Sequence, residues 1–216
     1  MDFTRREIGN TRKGEMIYLF LKRIIDFILS LIAIILLMPV FLIIAIIIKI
    51  DSSGSIVFGH VRKGLHGKDI KVYKFRTMYE NSKEIFESFT EEQKREFYIN
   101  FKLDNDPRIT KVGGFLRKTS LDELPQLFNI LKGNMSIVGP RPIVEAEIDK
   151  YGIYSKKLFS VLPGLTGYWQ ANGRSDTTYD ERVDMDMYYI DNRSIYLDIK
   201  IIFKTFISVI KKEGAI

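Results

Sequence analysis

FILSLIAIILLMPVFLIIAIII, residues 27–48, is an uninterrupted uncharged run bounded by Asp26 and Lys49. As a helix it would be about 33 Å long at 1.5 Å per residue, enough for a hydrocarbon core of about 30 Å. It is too long for the core of a signal peptide, and no small-residue cleavage site follows it. Buried helices of soluble domains seldom run this far without a polar face, so a membrane segment is the better reading. Pro39, near the middle, removes the amide that would bond to the Ile35 carbonyl and crowds that carbonyl. Both flanks are basic: Arg5, Arg6, Arg12, Lys13, Lys22 and Arg23 before the run, Lys49, Arg62, Lys63, Lys68, Lys71, Lys74 and Arg76 after it. Basic flanks favour the cytoplasmic side. Two topologies stay open, a spanning helix and a helix broken at Met38-Pro39 that enters and leaves by one leaflet; the second satisfies both flanks.

The chain has 216 residues, the size of one ordinary domain, or one domain plus a membrane element. It contains no cysteine and two histidines, which excludes a disulfide scaffold and a thiolate zinc site. With 33 basic and 27 acidic residues, the net +6 favours an anionic partner. Nucleic acid is a poor candidate for it, because the charge is modest and no nucleic-acid fold motif is present.

Downstream, SIVFGHVRKGLHGKDIKVYKFRTMY (55–79) reads as a hairpin. Its strands are Ile56–Phe58 and Ile70–Phe75, with Gly64 and Gly67 in the turn and no phosphate-loop spacing. Residues 80–103 read as a charged helical excursion with Ile85, Phe86 and Phe89 as its apolar stripe; no chemistry is assigned to it. DPRITKVGGFLRKTSLDELPQLFNILKGNMSIVGPRP (106–142) mixes Gly, Pro, Arg and acids in a way a plain core rarely needs. There Ser120 and Glu123 match a capping box, so Asp122 and Glu123 could simply open a helix and complement its dipole. The same setting also suits a nucleophile or a metal ligand, since free amides hold a first-turn carboxylate ionised. Pro125 should bend the helix just past the pair.

LPGLTGYWQANGR (162–174) suggests an irregular loop over a site, with Trp169 more often packing than ligand contact. Asp184-Met-Asp186 resembles the metal-binding Asp-x-Asp of nucleotide-sugar glycosyltransferases, but Val183, Met187 and Ile190 keep helical spacing around it, which favours a solvated helix face. In SIYLDIKIIFKTFISVIKK (194–212), Lys200, Lys204, Ser208 and Lys211 form one stripe opposite a broad apolar face. Such a helix either docks on the core or lies among lipid headgroups.

KTSLDELPQLFNILKGNMSIVGPRP resembles the signature of the bacterial sugar transferases, the monotopic polyprenyl-phosphate phosphoglycosyl transferases. Further matches are VYKFRTM (72–78), DPRIT (106–110), LPGLTG (162–167), Gln170, NGR (172–174), the terminal YYIDNRSIYLDIKII, and Lys22-Arg23-Ile-Ile-Asp26; together they cover roughly residues 22–212.

The resemblance implies an α+β, mainly helical fold: a Pro-broken re-entrant membrane helix, a small β-hairpin and interfacial amphipathic helices. It divides the chain into a tail (1–16), the membrane helix (17–50, broken at Pro39) and a cytosolic, membrane-associated catalytic domain (51–216). It looks like the family's minimal form, on the cytoplasmic face of a bacterial plasma membrane. The implied reaction moves a sugar 1-phosphate from a UDP-sugar to undecaprenyl phosphate and releases UMP. It is Mg²⁺-dependent, with Asp122 as nucleophile and Glu123 as catalytic partner and metal ligand. Lys74, Arg76, Arg117, Arg141 and Arg174 are the candidate phosphate-binding cations, which would screen two mutually repelling anions. Further implied partners are inner-leaflet lipids and downstream glycosyltransferases, with a homodimer left open. The chain departs from the pattern at Met38, where many members have Ser, and at His60, where members often have Gln. Two alternatives stand beside this reading: a non-enzymatic basic membrane-anchored module, and a metal-dependent glycosyltransferase using Asp184 and Asp186 and releasing UDP.

Overall fold

The computed structural model describes residues 2–100, 103, 105–173 and 177–211, and side chains within 13–98, 103, 105–173 and 177–208. The fold is α+β and mainly helical. Helix α1 (Asp2–Asp51) holds the whole apolar run and stays helical through Pro39, where a break is expected. The same helix crosses the expected 16/17 boundary uninterrupted. Among the described residues it is the one helix long and apolar enough to cross a membrane, and most of its most apolar window is exposed. Ile35, Leu36, Leu42, Ile43 and Ile46 all lie on that free surface, which marks the chain as a membrane protein.

The opposite face of α1 is docked along its length. Strands β1 (Val57–Lys63) and β2 (Asp69–Phe75) form the expected antiparallel hairpin, with Phe58 paired to Lys74 and His60 to Val72. Helices α2 (Ser82–Glu87) and α3 (Glu91–Asn100) are the excursion. They close around Arg108, whose guanidinium lies 5.0, 5.3 and 4.8 Å from the rings of Phe86, Phe89 and Phe97 and pairs with Asp106 at 2.6 Å. The DPRIT block is therefore a structural anchor. It also continues β2, because Thr110 N donates to the Thr77 carbonyl and Met78 bridges Ile109.

Helix α4 (Lys111–Lys118) starts at Thr110, whose hydroxyl accepts from Gly113 N. Helix α5 (Gln126–Lys132) ends at Gly133 in the left-handed conformation. Arg23 of α1 then donates to the last α5 carbonyls, Ile130 at 2.6 Å and Leu131 at 2.9 Å. One turn on, Asp26 accepts from Ile137 N of β3 (Ser136–Val138) at 3.0 Å. The short helices α6 (Ile148–Tyr151) and α7 (Ser155–Leu158) lead to β4 (Gly164–Thr166), which pairs parallel with β3. The two Pro/Gly segments thus form one parallel pair, and neither is a free loop.

Helix α8 (Tyr168–Asn172) carries the buried Trp169. Helix α9 (Tyr179–Asn192) starts from a capping box of Thr178 and Glu181, and α10 (Ile195–Lys211) closes the core. One face of α10 buries Ile201 and Asp198, the latter ion-paired to Lys22 of α1 at 2.8 Å. The other exposes Tyr196, Ile199, Phe203 and Phe206, an apolar stripe at helical spacing beside exposed Lys200 and Lys204. The docked reading holds for one face of this helix; the other is an exposed apolar face with lysines beside it, of the kind that suits a membrane surface.

Asp184 is exposed and Asp186 wholly buried, so the two carboxylates do not meet as an Asp-x-Asp ligand pair. Asp186 accepts from Tyr151 Oη at 2.8 Å, and its other oxygen has no hydrogen-bond partner among the described residues. Burial pushes its carboxyl up to about 7, against the Tyr151 hydrogen bond. The folded state thus keeps a proton that the unfolded chain loses near pH 4. This proton's contribution is present below that pH and is lost as pH rises towards 7. Asp186→Asn cannot titrate and keeps an acceptor for Tyr151. At pH 8 it should be at least as stable as the parent, with a gain on the order of 1–3 kcal/mol that shrinks at pH 5. Denaturation curves at the two pH values check this; an unchanged pH slope would contradict it.

Candidate active site

Asp122 and Glu123 lie in a single 3-10 turn, Leu121–Glu123, between α4 and α5. The expected capping box is absent. Ser120 sits at φ 55°, in the left-handed region, and its side chain makes no capping bond. A non-glycine residue there is uncommon and costs on the order of 1 kcal/mol or more, a cost that concentrates at functional turns. The turn replaces a regular helix start, and α5 begins only after Pro125. The conformation sends the two neighbouring carboxylates into different environments, with Asp122 buried and Glu123 partly exposed.

Lys74 of β2 joins them. Its Nζ lies 2.6 Å from Glu123 Oε1 and 3.6 Å from Asp122 Oδ2. Burial pushes the Asp122 carboxyl above the ordinary carboxylate range, with repulsion from Glu123 adding to it; Lys74 and Arg117 pull the other way. Glu123 differs. Burial alone would raise it, but Lys74, Arg141 and a hydrogen bond from Gln126 outweigh that and hold it below the usual range. The environment therefore separates the pair into a desolvated Asp122 and a firmly ionised Glu123, the divided roles expected of two adjacent carboxylates with different tasks.

The other expected cations are placed as follows. Arg117, at the end of α4, donates from Nε to Thr77 Oγ1 at 2.9 Å and feels the Asp122 charge. Arg141, just after β3, acts electrostatically on Glu123, Arg62 and His60. Arg76 is directed elsewhere: its Nη2 donates to the carbonyls of Ile48 and Ser52 at 3.3 and 2.6 Å and to Ser52 Oγ at 3.0 Å. Those bonds cap the end of α1 and make Arg76 a clamp for the membrane helix. Arg174 lies outside the described residues.

Arg62 belongs to the cluster although sequence reasoning passed over it. Its guanidinium lies 3.4 Å from Glu147 and donates to His60 Nδ1 at 3.2 Å. Burial and the neighbouring Arg141 bring Arg62 down to about 10, and burial beside Arg62, Lys74 and Arg141 brings His60 down to about 4, so His60 is neutral at pH 7. The hairpin register held the clue: residues 58, 60 and 62 share the Lys74 face because Phe58 pairs with Lys74.

The geometry can hold a phosphorylated anion. Lys74, Arg62, Arg117 and Arg141 all act electrostatically on one or other of the two carboxylates, and Asp122 is the desolvated one. Among the described residues no group of three or more His, Asp or Glu could hold a metal ion by itself. The donor set does fit Mg²⁺, which commonly takes one or two carboxylates and completes its shell with water and substrate phosphate. The place between Asp122 and Glu123 already accommodates positive charge, that of Lys74.

Residues 17–212 match the family model described as bacterial sugar transferase. The chain is 46% identical over 199 residues to the UDP-galactose-lipid carrier transferase of Erwinia amylovora, covering 91% of this chain and 42% of that protein. It is 45% identical over 199 residues to the undecaprenyl-phosphate galactose phosphotransferase of Salmonella typhimurium, again covering 91% and 42%. With the exopolysaccharide production protein ExoY of Rhizobium meliloti it shares 44% over 197 residues, covering 90% of this chain and 87% of that one. The chain thus spans less than half the length of the first two relatives.

Proposed function

The chain belongs to the bacterial sugar transferase family, and on that premise we propose that it transfers a sugar 1-phosphate from a UDP-sugar to undecaprenyl phosphate. The observation that carries the proposal is the Asp122-Glu123 turn spanned by Lys74, in a domain docked along an exposed apolar helix.

In the first step an Asp122 oxygen attacks the sugar-bearing phosphorus. The bond from that phosphorus to the bridging oxygen breaks, and UMP leaves with the electron pair. In the second, an oxygen of the lipid phosphate attacks the same phosphorus, breaks the aspartyl–phosphorus bond and regenerates the Asp122 carboxylate. Splitting the transfer lets one cationic site serve two anions in turn. Lys74, Arg62, Arg117 and Arg141 bind and orient the phosphates, and buried Asp122 is kept from competing water. Glu123, with Lys74, would hold Mg²⁺, which when bound supplies charge neutralisation at the diphosphate.

Both ends of the apolar run of α1 belong on one side of the bilayer in this reading. The domain grips α1 at Lys22 through Asp198 and at Ile48 through Arg76. Those positions are about 39 Å apart along a helix. A domain outside a hydrocarbon layer of about 30 Å cannot reach both ends of a helix that crosses it. This supports entry and exit by one leaflet, with the domain on the cytoplasmic face, where UDP-sugars are found.

Incubation with undecaprenyl phosphate and a panel of UDP-sugars tests the reaction: UMP should be the released nucleotide, UDP would indicate a glycosyltransferase, and no turnover would favour an anchored binding module. Lys74→Gln tests the electrostatics. Lys74 pulls the Asp122 carboxyl down, so its removal should move the acidic limb of the pH–rate profile to higher pH and lower the plateau about 10²-fold or more. An acidic limb that stays in place would assign it to another group.

A further inference from the structure

Beside the catalytic turn lies an open groove of about 250 Å³, lined by Phe41, Val57, Tyr73, Pro125, Phe128 and Lys132. Its walls come from three places at once. Phe41 belongs to the apolar run of α1, where its ring packs 5.5 Å from Phe75 and 5.9 Å from Phe128. Val57 and Tyr73 come from the hairpin. Pro125 and Phe128 lie three and six residues after Asp122, so the near wall begins one helical turn from the nucleophile. Among the described residues the one charged lining residue, Lys132, is turned onto Tyr73, with Nζ 4.8 Å from the ring and 3.3 Å from Oη.

We propose that this groove holds the first isoprene units of the acceptor lipid, so that its phosphate lies at Asp122 while its chain runs past Phe128 to Phe41 and into the bilayer. The inference rests on the acceptor proposed above. The occupant should be mainly apolar, since Phe41, Val57, Pro125, Phe128 and the Tyr73 ring make up the lining and the Lys132 ammonium is held against Tyr73. It must also be continuous with the membrane, since Val57 and Phe128 are exposed and Phe41 is followed by exposed Leu42 and Ile43. A nucleotide sugar meets neither condition and a prenyl chain meets both. An apolar cavity of about 150 Å³ takes up benzene, so this volume suits roughly two five-carbon units. The acceptor then has a place of its own beside the site from which UMP departs.

Two measurements test it. The first is photolabelling of the full-length protein in nanodiscs by a polyprenyl phosphate carrying a diazirine in its first isoprene units. Label should appear in the peptides holding Phe41 and 125–132, and excess undecaprenyl phosphate should compete it away. Label elsewhere, or equal competition by a saturated alkyl phosphate, would overturn the proposal; the latter outcome would make the groove a general lipid contact. The second is Val57→Trp, which narrows the groove from an exposed position outside the catalytic cluster. It should raise the acceptor KM about tenfold, the effect of denying burial to roughly two methylenes. The lipid-independent release of UMP should not change. Equal loss in both steps, or no change in KM, would contradict the assignment. Labelling needs no donor, so correct labelling with no UMP from any UDP-sugar would count against the reaction and leave the groove standing.

Discussion

Asp122→Asn should lower turnover by about 10⁴-fold or more while leaving the fold intact, the scale seen when a nucleophile is removed from a working cluster. The amide has nearly the shape of the carboxylate, so the packing around this buried side chain is kept. It is a poor nucleophile and cannot form a phosphoaspartyl bond. Stability should not suffer, because the native site already resists ionising Asp122 through burial. Turnover and thermal unfolding measured together separate chemistry from folding. Residual activity above about 1% with normal unfolding would remove Asp122 from the nucleophile's role. Glu123→Gln is the informative comparison: it leaves Asp122 in place and removes the carboxylate that pairs with Lys74 and that, on the proposed reading, would hold Mg²⁺, so its loss should depend on metal concentration, whereas that of Asp122→Asn should not.

Gly164→Ala should destabilise the native fold severely. A Cβ at Gly164 would overlap Gly139 N and O and Thr166 O, all backbone atoms that cannot swing away. These atoms belong to the parallel pairing of β3 with β4, in which Gly139 N donates to Thr166 O at 2.9 Å and Gly164 N donates to Pro140 O at 2.8 Å. Relief would require parting the strands and moving Arg141 away from Glu123. A cost of about 3 kcal/mol or more is expected, a large share of the stability of an ordinary domain. Gly114→Ala provides the control: among the described residues, nothing beyond its own helix backbone lies within 4 Å of its added Cβ, and in the middle of α4 it should stabilise by about 0.5–1 kcal/mol. Unfolding curves of the two variants should move in opposite directions; a native-like Gly164→Ala would show that the strands can part without loss.

The sequence signals that proved readable are those with a local physical cause. The 27–48 run announces α1 because no soluble surface helix carries so wide an apolar face, and alternating residues around Gly64 and Gly67 announce the hairpin. Elements decided by distant contacts were less legible. Ser120 and Glu123 have capping-box spacing, yet the turn takes Ser120 into the left-handed region and the box forms at Thr178 and Glu181 instead. Arg76 has the character of a phosphate ligand, but its nearest acceptors turn out to be carbonyls at the end of α1. Arg62 was hidden because its role depends on a hairpin register that brings it to the Lys74 face, and Asp186 because its neighbour Tyr151 lies 35 residues away. The Pro/Gly segments were recognisable as special, though their pairing with each other was not, since it depends on the close approach of Gly139 and Gly164.

The covalent route is tested most directly by mass spectrometry of the protein incubated with its UDP-sugar and no lipid acceptor. The expected result is a peptide containing Asp122 heavier by one sugar-phosphate unit, with at most about one UMP released per active site and no adduct in Asp122→Asn. An unmodified Asp122 peptide, with UMP formed only when both substrates are present, would contradict it.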